Sequence, residues 1–279
     1  MSRSLTVEFT KMHGAGNDFV VVDNRWYRFS DEELSDLAAA WCPRRYGIGA
    51  DGLLALAPSD TSDVAYRMRY VNADGSWATM CGNGARCLAR FAVDAGLGDP
   101  EFQFDSDAGR YRVAVPPDNH DPVRLYVPAP TRLTADPQLE TDPPEGLHAL
   151  HFVHTGTEHL VAFVSEVKAV PVEAWGRRLR HDPALKPTGA NVNFVEATAD
   201  GLRMRTYEKG VEAETPSCGT GVLAAATVAV AAGRVSPGRV AVHTPGGSLS
   251  VGVPEADEEP PWYLEGPVVT TFRGTLEMK

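Results

Sequence analysis

Three short patterns in the first half of the chain recur in the second half, in the same order and at nearly the same distance, close to half the chain length. Met80–Gly84 (MCGNG) recurs as Ser217–Gly221 (SCGTG). Gly49–Asp51 (GAD) recurs as GAN from residue 189, and Gly16–Val20 (GNDFV) has a weaker counterpart from residue 156. A single pair can arise by chance, but three in register predict a duplicated domain with pseudo-twofold symmetry.

The length and charge of the chain agree with this reading and exclude several classes of protein. With 279 residues, 43% of them hydrophobic, the chain has the composition of a globular protein of about two domains. A net charge of −11 without any Lys/Arg run argues against a nucleic-acid partner. The longest apolar run, Val222–Ala232, is too short to cross a membrane, and the N-terminus has no apolar stretch before a cleavage site. We therefore expect a cytoplasmic protein with no membrane partner.

Most of the chain has the pattern of short strands, and three segments have helix signals. Ser30 and Glu33 form a capping box at the start of a helix that we expect to run to about Cys42. The two other helices are predicted directly after Cys81 and directly after Cys218, the last ending near Gly233. The strands are predicted at 18–23, 65–71, 110–115, 160–164, 202–207 and 248–253.

The four cysteines divide into two pairs. Four cysteines in 279 residues are too few for a disulfide scaffold, and without a CxxC pair no zinc site is expected. Cys42 and Cys87 lie within helical patterns and are interpreted as small buried residues. Cys81 and Cys218 instead begin helices behind glycine-rich turns, where the helix field lowers a thiol pKa and free backbone N–H groups bind anions.

One thiol from each half suits the inversion of a Cα centre. Inversion requires a base that removes the proton on one face and an acid that delivers a proton on the other. Helix N-termini would hold the substrate carboxylate and stabilise its enolate-like charge as the proton leaves. The residues therefore predict an amino-acid racemase or epimerase, for which neither a cofactor nor a metal is needed.

Several blocks resemble the diaminopimelate epimerase family of pyridoxal-independent racemases over nearly the whole chain. The resemblance implies a mixed α/β (α+β) fold of two pseudo-symmetric domains, each a β-barrel-like sheet around a central helix. It implies one domain at 1–124 plus 268–279 and another at 125–267, as a monomer or homodimer. The matching blocks are 12–23 (MHGAGNDFVVVD), 45–53 (RYGIGADGL), 72–87 (NADGSWATMCGNGARC), 189–195 (GANVNFV), 208–221 (EKGVEAETPSCGTG) and 244–247 (TPGG).

The resemblance also implies residue roles. Cys81 and Cys218 would be the acid/base pair, and His159 and Glu208 a dyad that tunes Cys218. The substrate-binding positions would be Asn17, Asn72, Gly82, Asn83, Asn191, Glu208, Lys209, Gly219 and Thr220, and no metal is implied. From the residues alone, His159 is equally typical of a satisfied core histidine, and Asn72 and Asn191 of turns.

Two departures from the family pattern concern the distal end of the substrate. Lys209 stands where the family has an Arg that would bind a carboxylate with two hydrogen bonds, and Thr157 stands where it has an Asn. The leading hypothesis is interconversion of LL- and meso-2,6-diaminopimelate, a step towards lysine and peptidoglycan. The alternatives are a racemase of the same fold for another amino acid, such as histidine, and a thiol redox or ligand-binding protein.

Overall fold

The structure is a computed structural model that describes residues 5–255 and 261–278. The chain forms two units: residues up to Leu125 together with those from Gly266 onward are unit 1, and Tyr126–Glu265 are unit 2. Residues 1–4, 256–260 and 279, which fall within the predicted domains, lie outside the described residues.

Unit 1 is built of short strands, with helices inserted between some of them. In chain order its elements are β1 (Leu5–Gly14), β2 (Asn17–Val22), α1 (Asn24–Tyr27), α2 (Asp31–Trp41), β3 (Gly52–Ala57), β4 (Tyr66–Asn72), β5 (Trp77–Ala78), α3 (Gly82–Asp94), β6 (Glu101–Ser106), β7 (Gly109–Ala114) and β8 (Val123–Tyr126).

Unit 2 repeats this order, and the chain then returns to unit 1. Its elements are β9 (Thr131–Ala135), β10 (Ala149–His154), β11 (Glu158–Phe163), α4 (Val172–Arg180), β12 (Asn191–Thr198), β13 (Gly201–Glu208), β14 (Ala213–Thr215), α5 (Gly219–Ala231), β15 (Gly238–Thr244), β16 (Gly247–Val253) and β17 (Tyr263–Gly266). The last strand, β18 (Val269–Met278), pairs antiparallel with β1 along Leu5–His13.

The strand pairings of the two units correspond one to one. In unit 1, β2 runs parallel to β3, β3 antiparallel to β4, and β4 parallel to β6. In unit 2, β11 runs parallel to β12, β12 antiparallel to β13, and β13 parallel to β15. The partner of β1 on the other side is β18, and that of β10 is β9. The duplication that the sequence echoes predict is therefore a duplication of topology.

In each unit, one long helix packs on each of the two faces of the sheet. The inner helices α3 and α5 pack against β1–β4 and β10–β13 respectively, and α5 is buried over nearly its whole length. The outer helices α2 and α4 close the opposite faces with aliphatic side chains such as Leu34, Leu37 and Leu179. Such helices serve as crossover connections, because the end of one strand and the start of the next parallel strand lie at opposite edges of the sheet. The predicted fold class, two similar mixed α/β domains with a sheet around a central helix, is confirmed.

All three predicted helices are present, and one substantial helix escaped prediction. Ser30 and Glu33 form the expected capping box of α2, which ends at Trp41 with Cys42 as its C-cap. Helix α4 has no side-chain cap bond at Pro171, so the usual start signal is missing. Its buried Gly176 lies so close to Tyr207 that a Cβ there would overlap the ring. The duplication does indicate α4. When the position of α2 is shifted by the distance between the repeated patterns, it coincides with the position of α4.

Candidate active site

Cys81 is the N-cap residue of α3 and has extended backbone angles (φ −141°, ψ 121°). The Gly84 N–H donates to its Sγ at 3.5 Å, and Sγ–H donates to Asn17 Oδ1 at 3.4 Å. The thiol is partly exposed. A sulfur that accepts a helix N-terminal N–H lies where the helix field favours the thiolate.

Cys218 occupies the same position at the start of α5, again as an extended N-cap residue (φ −121°, ψ 110°). Its Sγ is 3.5 Å from Thr220 Oγ1, and its side chain is 7% exposed. The first turn of α5 sits directly on the sheet, because a Cβ added to Gly221 would overlap Asn193 Oδ1 and lie 3.4 Å from Cys218 Cβ. Both predicted helix-start thiols therefore have the expected placement.

The remaining cysteines have a different environment. Cys42 and Cys87 are 1% and 0% exposed. Burial raises the pKa of each thiol to about 12, because it penalises the charged form. They therefore stay protonated and inert near neutral pH.

Asn17 links Cys81 to a charged network in unit 1. Its Nδ2 donates to Asp51 Oδ2 at 2.6 Å, and Arg44 bridges Asp51 and Asp18 with contacts of 2.7 and 2.8 Å. Burial of Asp18 opposes its ionisation, but hydrogen bonds from Arg44 and Lys11 outweigh that effect and lower its pKa to about 2. The network fixes the Asn17 amide beside the thiol.

Asn72, the last residue of β4, belongs to a turn. Its Nδ2 donates to Ser76 Oγ at 3.0 Å, and its backbone N–H donates to the Ser76 carbonyl at 2.8 Å. The turn interpretation made from the residue alone thus describes its local geometry. Its role in substrate binding stays a prediction.

His159, Asn191 and Glu208 lie on three neighbouring strands of unit 2. His159 pairs with Asn191 across the parallel strands β11 and β12, and Glu208 is one residue beyond the pair Val192–Tyr207. Glu208 accepts a hydrogen bond from Thr215 Oγ1 at 2.6 Å. Residues in register share a face of a sheet, so the sheet brings these three predicted site residues into one row.

The His159 side chain is fully buried. Burial lowers the pKa of its imidazole to about 3; the charges of Lys209 and His154 lower it further, and that of Glu158 opposes them. Its Nδ1 lies 3.1 Å from Asn193 Nδ2. The histidine is therefore neutral near neutral pH.

Lys209 and Asn191 meet around Glu158. The Lys209 ammonium donates to Glu158 Oε2 at 2.7 Å, and its backbone N–H donates to Asn191 Oδ1 at 2.8 Å. Asn191 Nδ2 donates to the Glu158 carbonyl at 3.3 Å. Burial of Glu158 opposes ionisation, but the hydrogen bond from Lys209 prevails, and the pKa of Glu158 falls to about 2. The charge of Lys209 is thus already compensated within unit 2.

The predicted backbone donors lie in the first turns of the two inner helices. Gly82 and Asn83 open α3, and Gly219 and Thr220 open α5. Thr155 Oγ1 donates to the Thr220 carbonyl at 2.9 Å and so anchors the turn of α5. Free N–H groups at a helix N-terminus suit a carboxylate.

Sequence reasoning missed three polar groups around the thiols. Arg86, 0% exposed, donates to the Gly82 carbonyl at 3.1 Å and to Asn83 Oδ1 at 2.7 Å. Asn193 and Thr206 form a buried hydrogen-bonded pair beside His159. The sequence did contain a signal for Arg86 and Asn193, because they lie inside CGNGARC and GANVNFV, two of the blocks that carry the family resemblance.

A family model described as diaminopimelate epimerase matches residues 9–132 and 151–271. The chain belongs to the diaminopimelate epimerase family. A diaminopimelate epimerase of Chlorobaculum tepidum is 41% identical over 96% of this chain and 100% of its own length. One of Methanocella arvoryzae is 40% identical, covering 98% and 97%, and one of Aquifex aeolicus is 36% identical, covering 97% and 98%. The predicted resemblance and the isomerase class are confirmed.

Solved structures of low sequence identity share the fold. A phenazine biosynthesis protein of the PhzF family from Bacillus anthracis has a TM-score of 0.75 at 15% identity, covering 98% of this chain and 99% of that one. A hydroxyproline epimerase from Agrobacterium vitis, with bound trans-4-OH-L-proline, has a TM-score of 0.60 at 17% identity, covering 98% and 93%. Within the part of the chain that the structure describes, no helix is long and apolar enough to span a membrane.

Proposed function

We propose that this protein interconverts LL- and meso-2,6-diaminopimelate, a reaction that serves lysine and peptidoglycan synthesis. The observation that carries the proposal is the equivalent placement of Cys81 and Cys218 as N-cap residues of α3 and α5. The names of the relatives, at 35–41% identity over nearly their full lengths, supply the substrate.

In the proposed reaction the two cysteines act on one Cα centre. One thiolate takes the Cα proton, and the other cysteine, as a thiol, delivers its own proton to the opposite face. At the end of a turnover the first sulfur is a thiol and the second a thiolate, so the reverse reaction uses the same groups with exchanged roles. No net proton is gained or lost.

The carboxylate next to the reacting carbon gains negative charge as the proton leaves. The backbone N–H groups of Gly82, Asn83, Gly219 and Thr220 would donate to it from two helix N-termini. Loss of one such donor typically costs about 100- to 1,000-fold in kcat.

The non-reacting end of the substrate would be held by Asn17, Asn72, Asn191, Glu208 and Lys209. Lys209 is bound to Glu158 at 2.7 Å, so a distal carboxylate must compete with Glu158 for its ammonium. A Lys binds as a point charge and does not offer the paired donors of an Arg. We infer that the distal carboxylate contributes less to affinity here than it would with an Arg.

The proposal is tested by solvent deuterium entering Cα. Wild-type protein is incubated with LL-diaminopimelate in D2O, and both the meso isomer and the label are followed by NMR. We expect label only at the inverted centre. The Cys81→Ala and Cys218→Ala proteins should lose activity by about 100-fold or more, and normal racemisation by both variants would show that the mechanism is wrong.

The contact between Lys209 and Glu158 favours one second candidate, a racemase for another amino acid such as histidine. A neutralised Lys209 suits a substrate without a distal carboxylate. Rates across a panel of L-amino acids and diaminopimelate decide between the two. The panel would favour the second candidate if a smaller or uncharged amino acid had the higher kcat/KM.

The reactive thiols also bear on where the protein works. Two cysteines that must stay reduced suit a reducing compartment, so we place the protein in the cytoplasm. Its assembly as a homodimer stays a prediction, which sedimentation of the purified protein tests.

A further inference from the structure

The amide of Asn193 can adopt only one orientation. Its Nδ2 donates to the Leu160 carbonyl at 2.9 Å, and its Oδ1 accepts from Thr206 Oγ1 at 3.0 Å. A carbonyl oxygen only accepts, so the flipped amide would place two acceptors against each other. Since Asn193 is 0% exposed, water cannot relieve that repulsion.

This orientation determines where His159 carries its proton. The second N–H of Asn193 Nδ2 is directed at His159 Nδ1, 3.1 Å away. An amide nitrogen only donates, so Nδ1 must accept and be unprotonated. The proton of the neutral imidazole is therefore on Nε2.

Protonation of His159 to imidazolium would break the same contact. A proton on Nδ1 would face the amide N–H of Asn193, and the charge would be buried. The charged groups around the ring are Lys209 and His154, which oppose a second positive charge, and Glu158, which favours it. Geometry and burial thus both keep the ring neutral.

The Nε2 atom of His159 is buried, and Asn193, which contacts the other ring nitrogen, lies beneath the first turn of α5. Across residues 5–255 and 261–278, Nε2 has no hydrogen-bond partner, an arrangement that is ordinarily unfavourable for a buried donor. Asn193 Oδ1 and Cys218 Cβ flank Gly221 in that first turn. In unit 1 the equivalent residue Phe19 reaches to 3.4 Å from a Cβ placed at Gly84, in the first turn of α3.

We propose that Asn193 and Thr206 are positioning residues that lock His159 as a neutral imidazole with its proton on Nε2. This donor, which has no partner among the described residues, then binds the Cys218 sulfur when it becomes a thiolate during turnover. This rests on the proposed function. His159 then stabilises the Cys218 thiolate through a hydrogen bond and takes no proton from it. The proton of Cys218 passes to the substrate Cα, and in the reverse reaction it returns from Cα to sulfur.

The tautomer is measured directly on the full-length wild-type protein. Two-bond 1H–15N correlation spectra of protein labelled with 15N-histidine distinguish the two neutral tautomers and imidazolium, and His159→Gln assigns its signal among the eight histidines. We expect an Nε2–H pattern that does not titrate between about pH 6 and 9. An Nδ1–H pattern or titration in that range overturns the proposal, even if no variant folds.

Asn193→Asp tests the consequence for catalysis. The carboxylate offers no donor to Nδ1, so His159 should change to Nδ1–H or imidazolium. We expect kcat for diaminopimelate to fall by about 10- to 100-fold with KM changed less than about twofold. Asn24→Asp is the matched control, because Asn24 is also a buried amide that donates to a carbonyl, that of Phe29, but lies in unit 1.

At Thr206, a substitution that removes the hydroxyl can be compared with one that keeps it. Thr206→Val removes the donor to Asn193 Oδ1 and should lower kcat about fivefold, the rate equivalent of one neutral hydrogen bond, whereas Thr206→Ser should restore it. An Asn193→Asp protein with wild-type kcat, or an equal loss in Asn24→Asp, contradicts the proposal. An inactive wild-type protein with the Nε2–H tautomer would instead refute the proposed function alone.

Discussion

Phe19 and His159 stand at equivalent positions in the two units and differ completely in chemistry. Under the first turn of α3, the sheet presents Phe19 and Leu54, 3.4 and 3.2 Å from a Cβ placed at Gly84. Under the first turn of α5 it presents Asn193, bonded to His159. The duplication has kept the scaffold and the thiol and changed the layer beneath them.

The inner helices differ in a complementary way. Arg86 on α3 corresponds to Leu223 on α5, since each is the fifth residue after its N-cap cysteine. Within the described ranges 5–255 and 261–278 no carboxylate forms an ion pair with the buried guanidinium of Arg86, whose charge acts on Cys87 and Cys81. Unit 1 thus places a fixed cation near its thiol, whereas unit 2 uses a neutral hydrogen-bonding network. On the proposed mechanism the two sulfurs would therefore be stabilised by different physical means.

Exchanging the residues beneath the helices should give the largest effect. His159→Phe makes unit 2 resemble unit 1 and removes the acceptor of Asn193, so we expect kcat to fall by about 10- to 100-fold. Phe19→His places an unpartnered imidazole in the core and should lower the free energy of unfolding by about 1–3 kcal/mol. Steady-state kinetics and urea unfolding measure the two effects. A His159→Phe protein with wild-type kcat would contradict the comparison.

Replacing Arg86 should have a smaller effect that is confined to one thiol. Arg86→Leu copies Leu223 and removes the cation near Cys81, so the thiolate is less favoured and alkylation of Cys81 by iodoacetamide at neutral pH should slow about tenfold. Peptide mass spectrometry follows both thiols, and Cys218 should react as before. Arg90→Leu is the control, since Arg90 is buried one turn later on α3 and bonds to Pro116. Equal slowing in both variants would show that the effect is structural.

The smallest effect concerns the acidic residues that precede Phe19 and His159. Asp18 and Glu158 both have a pKa of about 2, below their ordinary values of 3.8 and 4.5. Each therefore contributes stability above its unfolded pKa, and that contribution is lost as the pH falls towards 2. Asp18→Asn and Glu158→Gln should lower the free energy of unfolding by about 1–2 kcal/mol at pH 7. The difference from wild type should shrink by about pH 3, and a constant difference in urea unfolding would refute the assignment.

Local signals and the repeat together predicted much of the fold. The Ser30 capping box and the two Cys-Gly-x-Gly turns were sufficient for α2, α3 and α5, because each signal lies within one turn of the helix that it starts. Helix α4 lacks such a signal, and only the repeat of the first half of the chain in the second indicates it.

The polar layer under the thiols was beyond sequence reasoning for a physical reason. The contact of Asn193 with His159 depends on the register of β11 against β12, a pairing of residues that are far apart along the chain. Arg86 was overlooked because arginine is rarely fully buried. Spacing along the chain located the thiols, and only the folded sheet brings Asn193 and His159 together.

The return of β18 to unit 1 has a consequence for synthesis on the ribosome. Unit 2 is one continuous stretch, Tyr126–Glu265, and can complete its sheet as soon as that stretch has emerged. In unit 1 the edge of β1 pairs with Val269–Met278, a strand that is translated after the whole of unit 2. The half of the enzyme that is made first is therefore the half that is finished last, and until then β1 presents an open edge to neighbouring nascent chains.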